Sequence, residues 1–386
     1  MSAADVLSGG SRWSIEHADC LDVLRSLPPL CVDAVVTDPP AAIKFMGADW
    51  DGDRGGRDKW VAWLAEVFAE LRRVAKPGAH ALVWALPRRS HWTGMAIENG
   101  GWLIGDRVSH LFGQGRPSGA AAAEGWNTRL KPGMEDWWLA RTPLDGTLAH
   151  NFGKWGTGAL NIDGCRIFTD WNEPDRPESW KRSGHSAKPD AEKIAAPPGV
   201  GIECHPLGRW PANVEFSHDE ECLETDGARD CSPECPVRML DEQSGLLKAG
   251  KAIRHRSGGK TFGTNRPKPP MPDMGYGDSG GASRFFYVAK ASRRERNLGL
   301  GDEGNPHKTV KPKELMRRHC RMVTPPGGII LDPFCGSGTT VLAAVSEGFR
   351  AIGVDLKAEY VQAARARVEA HCPTLEEPLT LFGGAA

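Results

Sequence analysis

The chain has no apolar run of about eighteen residues or more, the length that a bilayer crossing requires, so a membrane-embedded architecture is not expected. Its opening, Met1-Ser2-Ala3-Ala4-Asp5, lacks the basic flank and apolar stretch of a secretory signal, and a cytoplasmic location is the expectation. Without an export signal the ten cysteines read as reduced thiols, some of them on a metal, rather than as a disulfide framework. No internal repeat is found, which sets aside solenoids and propellers. Net charge is nearly absent as well, at -1, which argues against a nucleic-acid partner until the charge is resolved along the chain. From Lys248 to Arg321 eighteen Lys/Arg face six Asp/Glu, whereas Glu215 to Glu242 holds ten acidic residues against two basic ones. The first stretch is a candidate phosphate-binding surface.

What is present is the rhythm of a parallel sheet. With 386 residues the chain is long enough for one large domain with an insertion, or for two modest domains. Val32-Asp33-Ala34-Val35-Val36 and residues 80–86 are short apolar runs that suit buried strands. Between them Trp60, Leu64, Val67, Leu71 and Val74 recur at helical spacing, and Lys76-Pro77-Gly78 stops the pattern. The rhythm returns near the other end: residues 329–331 and 351–354 read as strands around a helix at 340–347, and 357–370 reads as a closing helix. From about Phe168 to Gly281 the chain is rich in Pro, Gly and charge with little periodicity, which marks an insertion.

Leu331-Asp332-Pro333-Phe334-Cys335-Gly336-Ser337-Gly338-Thr339-Thr340 follows an apolar strand and opens a helix. Gly336 and Gly338 allow a tight turn and close approach to a ligand, and Asp355, seventeen residues after Gly338 at the end of the next strand, is placed to accept ribose hydroxyls. A dinucleotide loop would carry a third glycine where Val341 stands. The run Asp332–Thr340 closely resembles the cofactor loop of DNA amino-methyltransferases. That resemblance implies S-adenosylmethionine as cofactor, with Phe334, Cys335, Gly336, Ser337, Gly338, Thr339 and Thr340 around its methionine portion and Asp19 and Cys20 near its adenine. It also implies that His307-Lys308-Thr309-Val310-Lys311-Pro312 precedes the first helix of the cofactor site, which makes Lys308, Thr309 and Val310 candidate contacts.

Val35-Val36-Thr37-Asp38-Pro39-Pro40-Ala41 ends a strand with a carboxylate and two prolines. The lone pair of an aromatic amine is delocalised into the ring, so a reacting amine needs acceptors for its hydrogens while the nitrogen becomes more tetrahedral. Asp38 and the Pro39 carbonyl can accept them, and Pro39 and Pro40 stiffen the loop before substrate arrives. A base inside a duplex cannot reach such a loop and has to be flipped out. The resembling family has Asp-Pro-Pro-Tyr, whose ring stacks on the extruded base; this chain has Ala41. Stacking on an aromatic contributes on the order of 1–3 kcal/mol per base. Phe45 and Trp50 are close enough in sequence to supply that surface.

The Asp-Pro-Pro loop precedes the glycine loop with the insertion between them, which resembles the beta arrangement of this family. The expected architecture is an α/β, Rossmann-like methyltransferase domain with a mostly parallel sheet, interrupted by a loop-rich target-recognition insertion. Its parts are a catalytic half at 1–167, the insertion at 168–282 and a cofactor half at 283–386. The resemblance covers 12–167, including Trp155–Asp163, and 283–370. Within the insertion His218-x3-Cys222-x8-Cys231-x3-Cys235 offers an imidazole and three thiolates at spacings that can close around a structural zinc, with Cys204-His205 as an alternative ligand source. Arg254, His255, Arg256, Lys260, Arg266 and Lys268 are candidate phosphate contacts, and Arg284, Arg293, Arg294 and Arg296 candidate cleft residues.

The expectation is a site-specific enzyme that methylates the 6-amino group of adenine in double-stranded DNA, since within the family Asp before Pro-Pro is commoner among adenine enzymes. The 4-amino group of cytosine is the alternative, and Ala41 also leaves open a catalytically silent DNA-binding paralogue. A homodimer and a companion restriction nuclease stay open.

Overall fold

The computed structural model describes residues 1–113, 115, 119–167, 207–219, 221–225, 228–248, 278–289, 297, 299–301, 304–307 and 309–371. Lys308, Cys204, His205, the six candidate phosphate contacts at 254–268, and Arg293, Arg294 and Arg296 lie outside the described residues.

Nine strands form one sheet: β1 (Trp13–His17), β2 (Val32–Thr37), β3 (Ala75–Ala85), β4 (Leu103–Leu111), β5 (Met134–Arg141), β6 (Val214–Ser217), β7 (Tyr287–Ala289), β8 (Ile329–Asp332) and β9 (Arg350–Asp355). Their order across the sheet is β1-β9-β8-β2-β3-β5-β4-β6-β7. All neighbours are parallel except the pairs β3/β5 and β5/β4. The expected α/β architecture with a mostly parallel sheet is therefore borne out. The helices of the described residues are α1 (Ala3–Ser8), α2 (Cys20–Ser26), α3 (Arg57–Val74), α4 (Ser90–Asn99), α5 (Leu148–Trp155), α6 (Pro236–Ser244), α7 (Lys313–Val323), α8 (Thr339–Ser346) and α9 (Ala358–His371). None of them is long and apolar enough to cross a membrane.

Two apolar clusters flank the sheet. Val32 and Val35 of β2 pack with α3 and α4 residues such as Leu64, Phe68 and Ile97, whereas Ala34 and Val36 pack with Met316, Leu342 and Val361 of α7, α8 and α9. Burial on both faces explains why β2 and β8 read as continuous apolar runs rather than as alternation. Asp33 is the polar interruption in β2, and it is satisfied: Lys76 Nζ donates to it at 2.6 Å and the Ile329 N–H at 2.8 Å, which ties β2 to β8. Helix α3 buries Trp60, Leu64, Val67, Leu71 and Val74, the stripe expected from their spacing. It ends at Val74, but Lys76-Pro77-Gly78 lies within β3 rather than between helix and strand. A register shift between Val32 and Ala34 accommodates the proline, and the Pro77 carbonyl accepts from Asn151 Nδ2 at 3.0 Å and Thr157 Oγ1 at 2.5 Å.

The two ends of the chain interleave. β1 lies against β9, and β2 against β8, so strands from both ends of the chain share one sheet. The insertion also enters this sheet, because β6 pairs in parallel with β4 and β7. Its own apolar centre is small, formed by Phe216, Cys235 and Val237.

Candidate active site

In an open parallel sheet, side chains that meet a ligand gather beyond the C-terminal ends of the strands. Here β2 ends at Thr37 and β8 at Asp332, and the two are neighbours in register, Ile330 beside Ala34 and Leu331 beside Val35. The Asp38 loop and the glycine loop therefore leave the same edge of the sheet. Thr37 Oγ1 donates to Asp332 Oδ1 at 2.6 Å across that edge, and burial pushes the Asp332 carboxyl up to about 7. Both loops border a cavity of about 960 Å³, within the range of ordinary ligand sites.

Backbone hydrogen bonds hold the glycine loop against β9. The Cys335 N–H donates to the Val354 carbonyl at 2.9 Å and the Gly336 N–H to Asp355 Oδ2 at 2.9 Å, while Asp355 Oδ1 accepts from the Lys357 N–H at 2.8 Å. Burial raises the Asp355 carboxyl above its usual range. Gly336 adopts φ +51°, and a Cβ there would come within 2.8 Å of His307 Nε2, so the loop and the His307 segment approach more closely than a side chain permits. Phe334, Cys335, Gly336, Ser337, Thr339 and Thr340 line the cavity together with Asp355. Gly338 does not; it is the N-cap of α8 at φ +76°, packed where a Cβ would lie 2.8 Å from that of Ala364. Asp19, the N-cap of α2, and Cys20, whose thiol burial pushes up to about 12, are on the wall, as are Thr309 and Val310.

Asp38, Pro39, Pro40, Ala41 and Phe45 form the facing wall. Their loop is gathered on a buried carboxylate: Asp51 accepts from the backbone N–H groups of Ala42 at 2.9 Å, Ile43 at 3.3 Å and Phe45 at 2.8 Å. Arg89 donates to the Ala42 carbonyl. These bonds hold Ala42 and Lys44 in left-handed conformations, at φ +60° and φ +50°, which non-glycine residues seldom adopt. Trp50 also lines the cavity and stacks on His307 with ring centroids 6.5 Å apart.

Two carboxylates share one lysine in the floor of the cavity. Lys311 Nζ lies 3.3 Å from Asp38 Oδ2 and 3.4 Å from Glu135 Oε1, and 4.0 Å from the centroid of the Trp84 ring. Burial opposes the lysine charge, but the two carboxylates hold its pKa above the usual range. Burial raises the Asp38 carboxyl to about 6, against the pull of Lys311 and with the push of Glu135. Burial would raise Glu135 as well; Lys311 and the neighbouring His110 instead hold it at about 2. The pair is thus divided, with Glu135 held low and Asp38 close to the physiological range.

Asp51, Glu135 and Lys311 are residues to which sequence reasoning assigned no role. Lys311 stands in the motif that carries Thr309 and Val310, and Asp51 directly follows Trp50, so neighbouring signals existed. Glu135 had none, because an acidic residue near the start of a strand is unremarkable until Lys311 arrives 176 positions later. Arg284, a candidate cleft residue, is not on the cavity wall; it bonds Asp278 Oδ2 at 3.2 Å and the Gly280 and Gly281 carbonyls, and covers the Phe285 ring.

His218, Cys222, Cys231 and Cys235 converge outside the lining of this cavity. One ligand atom of each lies within 4.8 Å of all the others, and His218 Nδ1 is 3.4 Å from the sulfurs of both Cys231 and Cys235.

The chain is similar to several known proteins. A family model described as DNA methylase matches residues 274–366. The chain is similar to a DNA adenine methyltransferase, YhdJ, of Escherichia coli strain K12, with 39% identity over 175 residues, 45% of this chain and 56% of the relative. It is similar to the type II methyltransferase M2.DpnII of Streptococcus pneumoniae, with 47% identity over 68 residues, 18% of this chain and 25% of that one. The chain therefore spans about half the length of one curated relative and a quarter of the other. Among solved structures it is similar to PvuII DNA methyltransferase, cytosine-N4-specific, at 14% identity and TM-score 0.46, covering 92% of this chain and 86% of that one. It is also similar to the M1.HpyAVI–SAM complex, at 16% identity and TM-score 0.40, covering 92% and 98%. The amino-methyltransferase resemblance carried by the glycine loop is borne out by the family and sequence matches.

Proposed function

We propose that this chain, similar over its cofactor half to DNA methylases, transfers a methyl group from S-adenosylmethionine to an exocyclic amino group of a base in double-stranded DNA, and that the target is the 6-amino group of adenine. The observation that carries the reading is the meeting of the Asp38 loop and the glycine loop at the ends of neighbouring parallel strands, on one cavity. The residues present fit the cofactor. The Asp19 and Asp355 carboxylates stand on the wall as acceptors for hydroxyl or amino hydrogens, and the buried Nδ1 of His307, another residue of the wall, has no hydrogen-bond partner among the described residues. Phe334, Cys335, Ser337, Thr339, Thr340, Thr309 and Val310 would hold S-adenosylmethionine with them, and Gly338 would set the turn. When bound, it supplies a methyl group activated by a sulfonium.

The chain's own residues act on the other reactant. The Asp38 carboxylate accepts a hydrogen from the amine, and the Pro39 carbonyl accepts the second, which draws the nitrogen lone pair out of the ring. Lys311 keeps Asp38 ionised despite its burial, so the acceptor is charged near neutral pH. As the nitrogen gains a bond it loses one proton, and a carboxyl at about 6 is suited to take it and release it to water. The Asp51 clasp holds this loop in position before the base arrives. Phe45 and Trp50 supply the stacking surface that Ala41 does not. The Asp at the head of the Pro-Pro loop supports adenine over cytosine, and a cytoplasmic location belongs to the same reading.

Incubation of the purified protein with labelled S-adenosylmethionine and unmodified duplex DNA, followed by nucleoside mass spectrometry, tests the proposal. The expected product is 6-methylaminopurine deoxynucleoside. A 4-methylcytosine product would transfer the assignment to cytosine, and cofactor binding without any transfer would leave a DNA-binding protein in place of the enzyme.

A further inference from the structure

We propose that His218, Cys222, Cys231 and Cys235 form a structural zinc site that fastens the insertion to the sheet and supports one wall of the substrate cleft. Three thiolates and an imidazole are a soft donor set, and a tetrahedral zinc with bonds of about 2.0–2.3 Å gives ligand-to-ligand edges of roughly 3.5–3.8 Å. The two imidazole-to-sulfur separations of 3.4 Å and the 4.8 Å limit on all four atoms already approach that figure. Four protein ligands leave no open position, so the site is one for stability and not for turnover.

Three of the four ligands are held by separate local structure. His218 follows the last residue of β6, and its N–H donates to the Ala289 carbonyl of β7 at 3.1 Å, so it is fixed to the edge of the sheet. The Cys222 N–H closes a turn on the Asp219 carbonyl and the Cys235 N–H one on the Ser232 carbonyl, each at 3.1 Å. Cys235 is fully buried and forms the N-cap of α6, with Pro236 at the first helical position. The apolar centre around it is Phe216 and Val237, too little to order the loops that carry the ligands. A metal bond supplies what that core lacks.

The loop that closes the site also touches the cleft. A Cβ on Gly113 would lie 2.7 Å from the Glu234 carbonyl oxygen and 3.0 Å from Pro236 Cδ, so the Cys231–Cys235 loop rests directly on the chain beside Phe112, a residue of the cavity wall. A second connection runs through side chains. His110 Nε2 is 2.7 Å from Ser217 Oγ, the residue before the histidine ligand, and His110 Nδ1 is 3.6 Å from Glu135 Oε2, which shares Lys311 with Asp38. Metal loading therefore bears on the DNA side of the cleft, whereas the glycine loop rests on β9 and α9. This second consequence depends on the DNA reading above; the metal site itself does not.

The test begins with metal content. Full-length protein, purified without chelators and dialysed against metal-free buffer, is expected to carry one zinc per chain by plasma mass spectrometry. Cobalt exchanged into it should give thiolate-to-cobalt charge-transfer absorption and tetrahedral ligand-field bands. Cys222→Ser and Cys231→Ser should each lose the metal, and Cys31→Ser, a cysteine outside the cluster, should keep it. Wild-type protein that takes up neither zinc nor cobalt, or whose intact mass reveals a disulfide among the three thiols, overturns the site. Should the serine variants fail to fold, chelator-treated wild type serves in their place. Zinc-free protein is expected to lose at least about tenfold in affinity for duplex DNA with S-adenosylmethionine affinity unchanged by calorimetry. Equal loss of both affinities, or of neither, overturns the placement of the site beside the cleft.

Discussion

Two buried charge clusters, built from the same kinds of side chain, differ in balance. In the floor of the cavity Asp38 and Glu135 divide one lysine, Lys311. Where β6 meets α7, the single carboxylate Glu215 accepts from Arg318 Nε at 2.7 Å and lies 2.8 Å from His319 Nε2, with all three side chains sealed from solvent. Burial would raise the Glu215 carboxyl, but His319 and Arg318 hold it below its usual range. In the second cluster one carboxylate is held between two bases; the first has an acid in excess, and both of its acids line the cavity. A balanced cluster holds elements together, and an unbalanced one keeps a carboxylate ready for a substrate proton.

Removing the reactive member should separate the two roles most sharply. Asp38→Ala is expected to reduce turnover on the order of a thousandfold while cofactor affinity, measured by calorimetry, stays within a factor of two or so. Asp38→Asn should lose turnover without losing stability, because a carboxyl whose folded pKa lies above its unfolded value costs stability when it ionises between the two. Glu215→Ala should do the reverse of Asp38→Ala. Stranding Arg318 in the interior is expected to cost about 3–5 kcal/mol in urea unfolding. A folded Glu215 pKa below the unfolded value contributes stability that is complete above about pH 4.3 and is lost as the pH falls through the folded value. If Glu215→Ala unfolds at the wild-type urea concentration, the network is not structural.

The pH profile sharpens the comparison next. In the proposed reaction Asp38 acts ionised, so kcat should fall as the pH drops through about 6. Lys311→Met removes the cation that favours the ionised form, so the fall should move to higher pH and activity at pH 7 should drop by about ten- to a hundredfold, with recovery in alkaline buffer. A profile left in place by Lys311→Met would remove the lysine from the mechanism. The smallest effects are expected at the stacking surface. Phe45→Ala and Trp50→Ala should each weaken binding of a duplex with a displaced target base by up to roughly 1–3 kcal/mol, read by fluorescence of a base analogue. If both leave affinity and turnover unchanged, neither ring replaces the aromatic missing at Ala41.

Four of the nine strands and both loops were legible because their signals are local. β2 and β8 are buried on both faces and read as mostly apolar runs, α3 carries a helical stripe over about four turns, and Gly336 and Gly338 stand where a strand turns into a helix. The first strand residue of β3 was not legible, because Pro77 normally ends an element and here a register shift absorbs it. β6 was missed for a different reason: four residues with glutamate among them carry no pattern until β4 and β7 pair on either side and Arg318 and His319 neutralise Glu215.

By itself, then, the sequence determined which loops carry the chemistry, since a carboxylate before two prolines and a glycine turn before a helix depend on bonds within a few residues. It also determined the spacing of the four candidate metal ligands. Only the tertiary structure decided what those loops face. The meeting of Asp38, Glu135 and Lys311, the Asp51 clasp with its two left-handed residues, and the contact between Glu234 and Gly113 depend on how strands distant in sequence are ordered in one sheet. That order follows from burying apolar surface across the whole domain, which no local segment encodes.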